Sequence, residues 1–237
     1  MKRPSIARPT PRSAAVIGAG FVGVTLCLLI LGSLAEDIRA QEASALDRLA
    51  TPFVHRFASP GLDAVVNLIT TLGSDLVVGP LLVVLVFGLA WRRRYREGLF
   101  MVVALGGSLA LNGLMKNFFA RPRPPLAWAH VLPDYSFPSG HSMNSLVFYL
   151  AVALLVWELG GRLAGIGATA VALLLVLFIG ISRIYLGYHY FTDVVGGFMA
   201  GLLWLFVVVA AFAGERRFRP RRSSPPTGPL LPPARPG

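Results

Sequence analysis

The chain has 237 residues; 55% are hydrophobic, only 14% are charged, and the formal net charge is +11. Soluble domains average about 25% charged residues, so this composition excludes an ordinary water-soluble fold. The basic excess is confined to the tails and to short segments between long uncharged runs, and no nucleic-acid partner is expected.

Six stretches hold no Asp, Glu, Lys or Arg: 13–35, 76–91, 98–115, 142–157, 163–182 and 194–214. A helix needs roughly 17–25 apolar residues to cross a bilayer. Four stretches reach that length, and the two shorter ones reach it when flanking polar side chains snorkel to the interface. The sequence therefore predicts an all-α polytopic membrane protein with six transmembrane helices, its membrane domain covering 13–214.

In chain order, residues 1–12 form a short basic tail ahead of the first span. A basic start and Ser33-Leu34-Ala35 give this span the look of a cleavable signal peptide. Its apolar run exceeds the roughly 7–15 residues usual there, and the expectation is an uncleaved first helix. Gly18-Ala19-Gly20-Phe21-Val22-Gly23 matches the dinucleotide-binding pattern, which has meaning only between a strand and a helix of a βαβ unit. Inside a run of membrane length its small residues allow close helix packing instead. Cys27, the only cysteine, lies in the same run, so no internal disulfide or cysteine metal site can form.

Residues 36–61 carry Ala45, Leu46, Leu49, Phe53 and Val54 at helical spacing, the pattern of a helix lying in the membrane interface. Residues 62–74 lead into span two, which Asp75 and Arg92 bracket; Glu97 and Lys116 bracket span three. The following loop holds the stiff Arg121-Pro122-Arg123-Pro124-Pro125 run and the interface-type aromatics Trp128 and Tyr135. Span four follows His141 and ends at Glu158, span five starts after Arg162 and ends near Ser182, and span six follows Asp193. The tail 215–237 is rich in Arg, Pro and Ser and is expected to be disordered. With the N-terminus inside, fifteen of the 22 Lys and Arg residues fall on the cytoplasmic side, the bias known for such proteins. Both tails are therefore expected in the cytoplasm.

Ionisable residues at span ends are functional candidates by default. On the extracytoplasmic face they form three clusters: Lys116 with Arg123-Pro124; Pro138-Ser139-Gly140-His141; and Ser182-Arg183 with His189 and Asp193. The body of the chain otherwise uses Arg, so its one lysine, Lys116, implies a need for a compact ammonium. Lys116, Arg123 and Arg183 on one face suit a phosphate dianion, and Ser139 and Gly140 precede a helix whose first amides favour an anion. His189 and Asp193 share a helix face if span six begins there. The carboxylate can then hold one imidazole nitrogen as N–H, leaving the other as a nucleophilic lone pair. His141 is the natural general acid for the leaving alkoxide. His141, His189 and Asp193 could also be read as metal ligands, but three nearby cations would repel a dication, and neither metal nor cofactor is expected. His55 and His130 have no motif around them.

K-x6-R-P, P-S-G-H and S-R-x5-H-x3-D, in this order, resemble the signature of the type 2 phosphatidic acid phosphatase superfamily, the lipid phosphate phosphatases. The match runs from Lys116 to Asp193 with no signature letter missing. The resemblance implies His189 as a nucleophile forming a phosphohistidine, supported by Asp193, with His141 as the acid. It implies phosphate binding by Lys116, Arg123, Ser139, Gly140 and Arg183, and it gives Arg121 no role. Vanadium haloperoxidases share the signature, but they are soluble. The expected activity is hydrolysis of a lipid phosphate or diphosphate on the extracytoplasmic side of the cell membrane, on an isoprenoid diphosphate or a phosphatidate-type lipid. A phosphotransferase with the same site, or a non-catalytic transporter or scaffold, are the alternatives.

Overall fold

A computed structural model describes residues 11–40, 44–126, 128 and 132–218. Nearly all of both tails, and His130, lie outside the described residues. Every regular element among the described residues is an α-helix: α1 (Pro11–Arg39), α2 (Ala45–His55), α3 (Pro60–Leu72), α4 (Asp75–Trp91), α5 (Tyr95–Phe119), α6 (Gly140–Tyr185) and α7 (Phe191–Phe218).

Local chemistry sets most of the boundaries. Ser44 caps α2, accepting from the Asp47 N–H at 3.0 Å, and Ser59 caps α3 with Pro60 in its first turn, where a missing N–H costs nothing. α3 and α4 meet at Gly73-Ser74 with a 43° bend. The Gly18–Gly23 segment is helical throughout and has no strand-to-helix turn. α5 stops at Ala120, whose left-handed φ of 46° turns the chain into the proline-rich loop.

α6 is not one rod. Gly161 has φ 83° and ψ −177°, a conformation open to glycine and costly for other residues. Beyond it the chain folds back, because the Trp157 indole N–H donates to Thr169 Oγ1 at 3.0 Å. In a straight helix those twelve positions would lie roughly 18 Å apart. The two limbs end on the same side, bringing His141 within electrostatic reach of Arg183.

α1, α5, α6 and α7 contain segments long and apolar enough to cross a membrane, and the bent pair α3–α4 makes a fifth if counted as one span. Their outer faces carry apolar side chains that water would not tolerate in such density: Phe21 is 72% exposed, Phe87 73% and Leu163 86%. The interior is closely filled where α4 to α7 meet, around Met101, Ala104, Val147, Ala151 and Val208. Polar side chains cross this core in satisfied pairs: Ser108 donates to Asn144 at 2.8 Å and Asn112 to the Pro138 carbonyl at 3.2 Å. Those bonds anchor the loop that opens α6, where the candidate site lies.

Candidate active site

The site is built where α5 ends, α6 begins and ends, and α7 begins. α7 can approach α6 so closely because of Gly197: a Cβ there would sit 2.7 Å from the Ser139 carbonyl oxygen and 3.3 Å from the Met143 amide. The contact is tightened by the Ser139 N–H, which donates to the Asp193 carbonyl at 3.0 Å. Ser139 Oγ accepts from the Ser142 N–H at 3.4 Å. The Ser139 amide, expected to be open to an anion, thus has a protein partner; Ser139 stitches α6 to α7 while Gly140 and His141 begin the helix.

The three expected cations converge. Arg123 Nη1 donates to the Tyr188 carbonyl at 2.7 Å and lies 3.2 Å from His189 Nε2. Its Nη2 pairs with Asp134 at 2.5 Å, and Lys116 pairs with the other oxygen of the same carboxylate. Burial alone would raise the Asp134 pKa, but the hydrogen bonds and charges of Lys116 and Arg123 outweigh it and hold the group at about 2. Asp134 was not singled out in the sequence; it lies in the loop between the first two motifs, where an anion placed between two cations is visible only in space. Arg183 is 5% exposed, gives one Nη to Thr70 at 2.8 Å and stacks on Tyr188 at 4.4 Å. Its Nε is buried and has no partner among the described residues, an unspent donor at the edge of the cradle. His141 lies within electrostatic reach of Arg183, His189, Lys116 and Arg123.

His189 is 2% exposed, with Nδ1 3.4 Å from Asp193 Oδ2. That separation allows attraction but is off the line of a hydrogen bond. Since Arg123 can only donate, Nε2 accepts and the ring proton belongs on Nδ1, facing the carboxylate. Burial depresses the His189 pKa to about 4 despite the opposing pull of Asp193, with Arg183 and Arg123 adding to the depression. The ring is therefore neutral at physiological pH, with its lone pair toward the cations.

Asp193 is wholly buried and fully engaged. Its Oδ1 accepts from Arg121 at 2.5 Å, and its Oδ2 from the Tyr190 N–H at 2.9 Å and from the Ser136 hydroxyl. Arg121 reaches on to Asp47 of α2 at 2.9 Å. Burial opposes the charge on Arg121, but Asp193 and Asp47 together raise its pKa. Arg121, Asp47 and Ser136 are the residues that sequence reasoning missed. The Arg-Pro-Arg run draws the eye to Arg121, but nothing in it tells that Arg121 turns to Asp193 and Asp47 while Arg123 turns to His189 and Asp134. The apolar face of α2 was legible, but the acid on its other face has partners 74 and 145 positions away.

A neutral imidazole with a carboxylate behind it and a basic cradle before it can attack phosphorus. This is the arrangement of a membrane phosphatase, and comparison with known proteins places the chain in a family of them. The model of the PAP2 superfamily matches residues 97–217, and the chain belongs to that superfamily, whose phosphatases hydrolyse lipid phosphate or diphosphate esters. Phosphatidylglycerophosphatase B of Bacillus subtilis (strain 168) is 35% identical over 202 residues, covering 83% of this chain and 97% of that protein. Decaprenylphosphoryl-5-phosphoribose phosphatase of Mycobacterium tuberculosis (strain ATCC 25618 / H37Rv) is 30% identical over 192 residues, covering 79% of this chain and 100% of that one. The crystal structure of a transmembrane PAP2-type phosphatidylglycerolphosphate phosphatase from Bacillus subtilis superposes with a TM-score of 0.74 at 31% identity, covering 83% of this chain and 98% of the other. The protein is thus a membrane enzyme of the phosphatase class.

Proposed function

We propose that this enzyme removes phosphate from a lipid phosphate or diphosphate through a phosphohistidine on His189, at the extracytoplasmic surface. A phosphate dianion would take the place of the Asp134 carboxylate against Lys116 and Arg123, meet the unspent Nε of Arg183, and rest on the first turn of α6 at Gly140, with Ser139 holding that turn against α7. The His189 Nε2 lone pair forms the bond to phosphorus as the bond to the leaving oxygen breaks, and His141 donates a proton to that oxygen. Water then attacks the phosphohistidine and releases inorganic phosphate. The observation that carries this reading is the asymmetry of the His189 ring. One nitrogen faces a buried carboxylate and the other faces a guanidinium at 3.2 Å, which fixes the tautomer that a nucleophile needs.

The chain reversal at Gly161 supports six membrane crossings, with 140–160 and 162–185 as two of them. The basic segments support cytoplasmic tails. The two relatives are named for different lipid bodies, a phosphatidylglycerophosphate and a prenyl-linked sugar phosphate. Their common chemistry, a terminal phosphate on a lipid, is the substrate class we assign, with phosphatidate-type and isoprenoid lipids both inside it.

His189→Ala should lower turnover of lipid phosphates by several orders of magnitude while the protein stays folded. Brief reaction of wild-type enzyme with a radiolabelled lipid phosphate should trap a protein-bound phosphoryl group that survives base and is lost in acid. Substantial turnover in the purified variant, or an acid-stable adduct, would sink the assignment.

A further inference from the structure

Asp193 could hold its histidine in many orientations if it were an isolated carboxylate on a helix end. It is not isolated. Arg121 Nη1 grips Asp193 Oδ1 at 2.5 Å and Thr192 Oγ1 at 2.8 Å, while its Nη2 grips Asp47 at 2.9 Å. Asp47 in turn accepts from the Thr192 N–H at 2.9 Å and from its hydroxyl at 2.8 Å. The Tyr190 ring lies 4.2 Å from the guanidinium carbon. Side-chain exposures of 1% for Asp47, 9% for Arg121 and 0% for Asp193 show that the group is withdrawn from water.

We propose that Asp47 and Arg121 are positioning residues for the phosphoryl-transfer step, acting on His189 through Asp193. The proposal rests on the reading of His189 as the nucleophile. Two features distinguish it from a purely architectural ion pair. The first is direction: both terminal nitrogens of Arg121 point at carboxylates and at Thr192, so this arginine serves the histidine's partner while Arg123 serves the cradle. The second is charge. Two carboxylates and one guanidinium carry a net charge of −1 in a buried place, where an unbalanced charge is expensive. When Nε2 bonds to phosphorus its lone pair becomes the N–P bond, the proton stays on Nδ1 and the ring becomes a cation. The leaving oxygen takes its proton from His141, which must enter the step as the imidazolium and leaves it neutral, so the count of protons and electrons closes. The network thus balances its charge in the phosphorylated enzyme rather than in the resting one, which is differential stabilisation of the kind that accelerates a step.

Arg121→Lys and Asp47→Asn test this, with Thr192→Val as a charge-neutral, nearly isosteric third variant. Lysine cannot bridge two carboxylates as a planar fork does. Arg121→Lys, which keeps the charge and loses the fork, and Asp47→Asn, which removes a charge, should each lower kcat on a lipid phosphate by roughly 10–100-fold, the loss seen when groups behind metal-bound histidines are removed. KM and the inhibition constants of inorganic phosphate and vanadate should stay within about twofold, because the cradle is untouched. Thr192→Val should show a smaller fall with the same split, and decides the matter should either of the other two variants fail to reach the membrane folded. Unchanged kcat in folded variants overturns the proposal, as does a loss confined to KM and anion inhibition, which would move Arg121 into the cradle. His189→Ala, assayed alongside, separates the two readings. Full turnover in that variant removes the nucleophile and this inference together. No turnover there, with full kcat in Arg121→Lys, removes only the inference.

Discussion

His189 combines two properties that water would keep apart: a lone pair available for attack and a carboxylate close enough to steady a positive ring. Burial supplies the first by depressing its pKa to about 4, and Asp193, held by donors on both oxygens, supplies the second. The same burial has a cost that depends on pH. As pH falls below about 6.5 the unfolded chain takes up a proton at this histidine, whereas the folded protein does not until about 4. Between those values the unfolded state binds more protons, so stability falls with falling pH. The separation corresponds to about 3 kcal/mol. His189→Gln should lose correspondingly less stability than wild type when thermal unfolding in detergent is compared at pH 7 and pH 4; equal losses would show that the ring is not held neutral. The residues proposed as nucleophile, carboxylate partner and cradle, which the fold brings together, could be picked out of the sequence because phosphoryl chemistry demands those residue types within short spacings. Arg121, Asp47, Ser136 and Asp134 could not, because what defines them is a partner distant along the chain.

The helices do more than carry these groups to one end of the bundle. α6 and α7 touch at Gly197, where there is no room for a side chain against the α6 backbone, and that contact sets the gap between the cradle and His189. Gly197→Ala should destabilise the protein by about 1–3 kcal/mol, the usual cost of overpacking. It should also depress activity in the fraction that stays folded, because the two halves of the site are pushed apart. Gly167→Ala, at a helical position where a Cβ would meet nothing within 4 Å, is the matched control: activity should stay unchanged and stability rise by up to about 1 kcal/mol from helix propensity. A melting temperature for Gly197→Ala equal to that of the control would show that the contact has slack. The uncharged runs foretold most of the helices, and the break between 157 and 163 foretold the reversal in α6. The helix at Pro60–Leu72, read from sequence only as a lead-in to span two, was harder to see. It packs on α6 through a mixed face in which Val66 and Thr70 are buried and Thr70 and Asp63 meet Arg183 and Tyr185, a face that leaves no apolar period.

At the scale of the whole molecule, an apolar girdle separates two dissimilar ends. One gathers the site, with α2 beside it; the other carries Arg92, Arg93, Arg94 and Arg96 at the α4–α5 turn. On the positive-inside bias, our proposal has the arginine end in the cytoplasm and the site outside. A fluorescent protein fused to the C-terminus should light up in cells, and a reporter active only in an extracytoplasmic compartment should stay silent there; the reverse pattern would invert the enzyme. Synthesis order adds a constraint that the finished structure conceals. Asp47 leaves the ribosome 74 residues ahead of Arg121 and 145 ahead of Thr192, so this acid is made well before any of its eventual partners. In the bilayer core an unmatched carboxylate would cost at least a few kcal/mol. α2, at 11 residues, is too short to cross a bilayer, so this acid can wait hydrated, and it is enclosed only when Thr192 arrives with the last helix. Since His189 and Asp193 are made in that same last stretch, the site cannot be complete before α7 is in place.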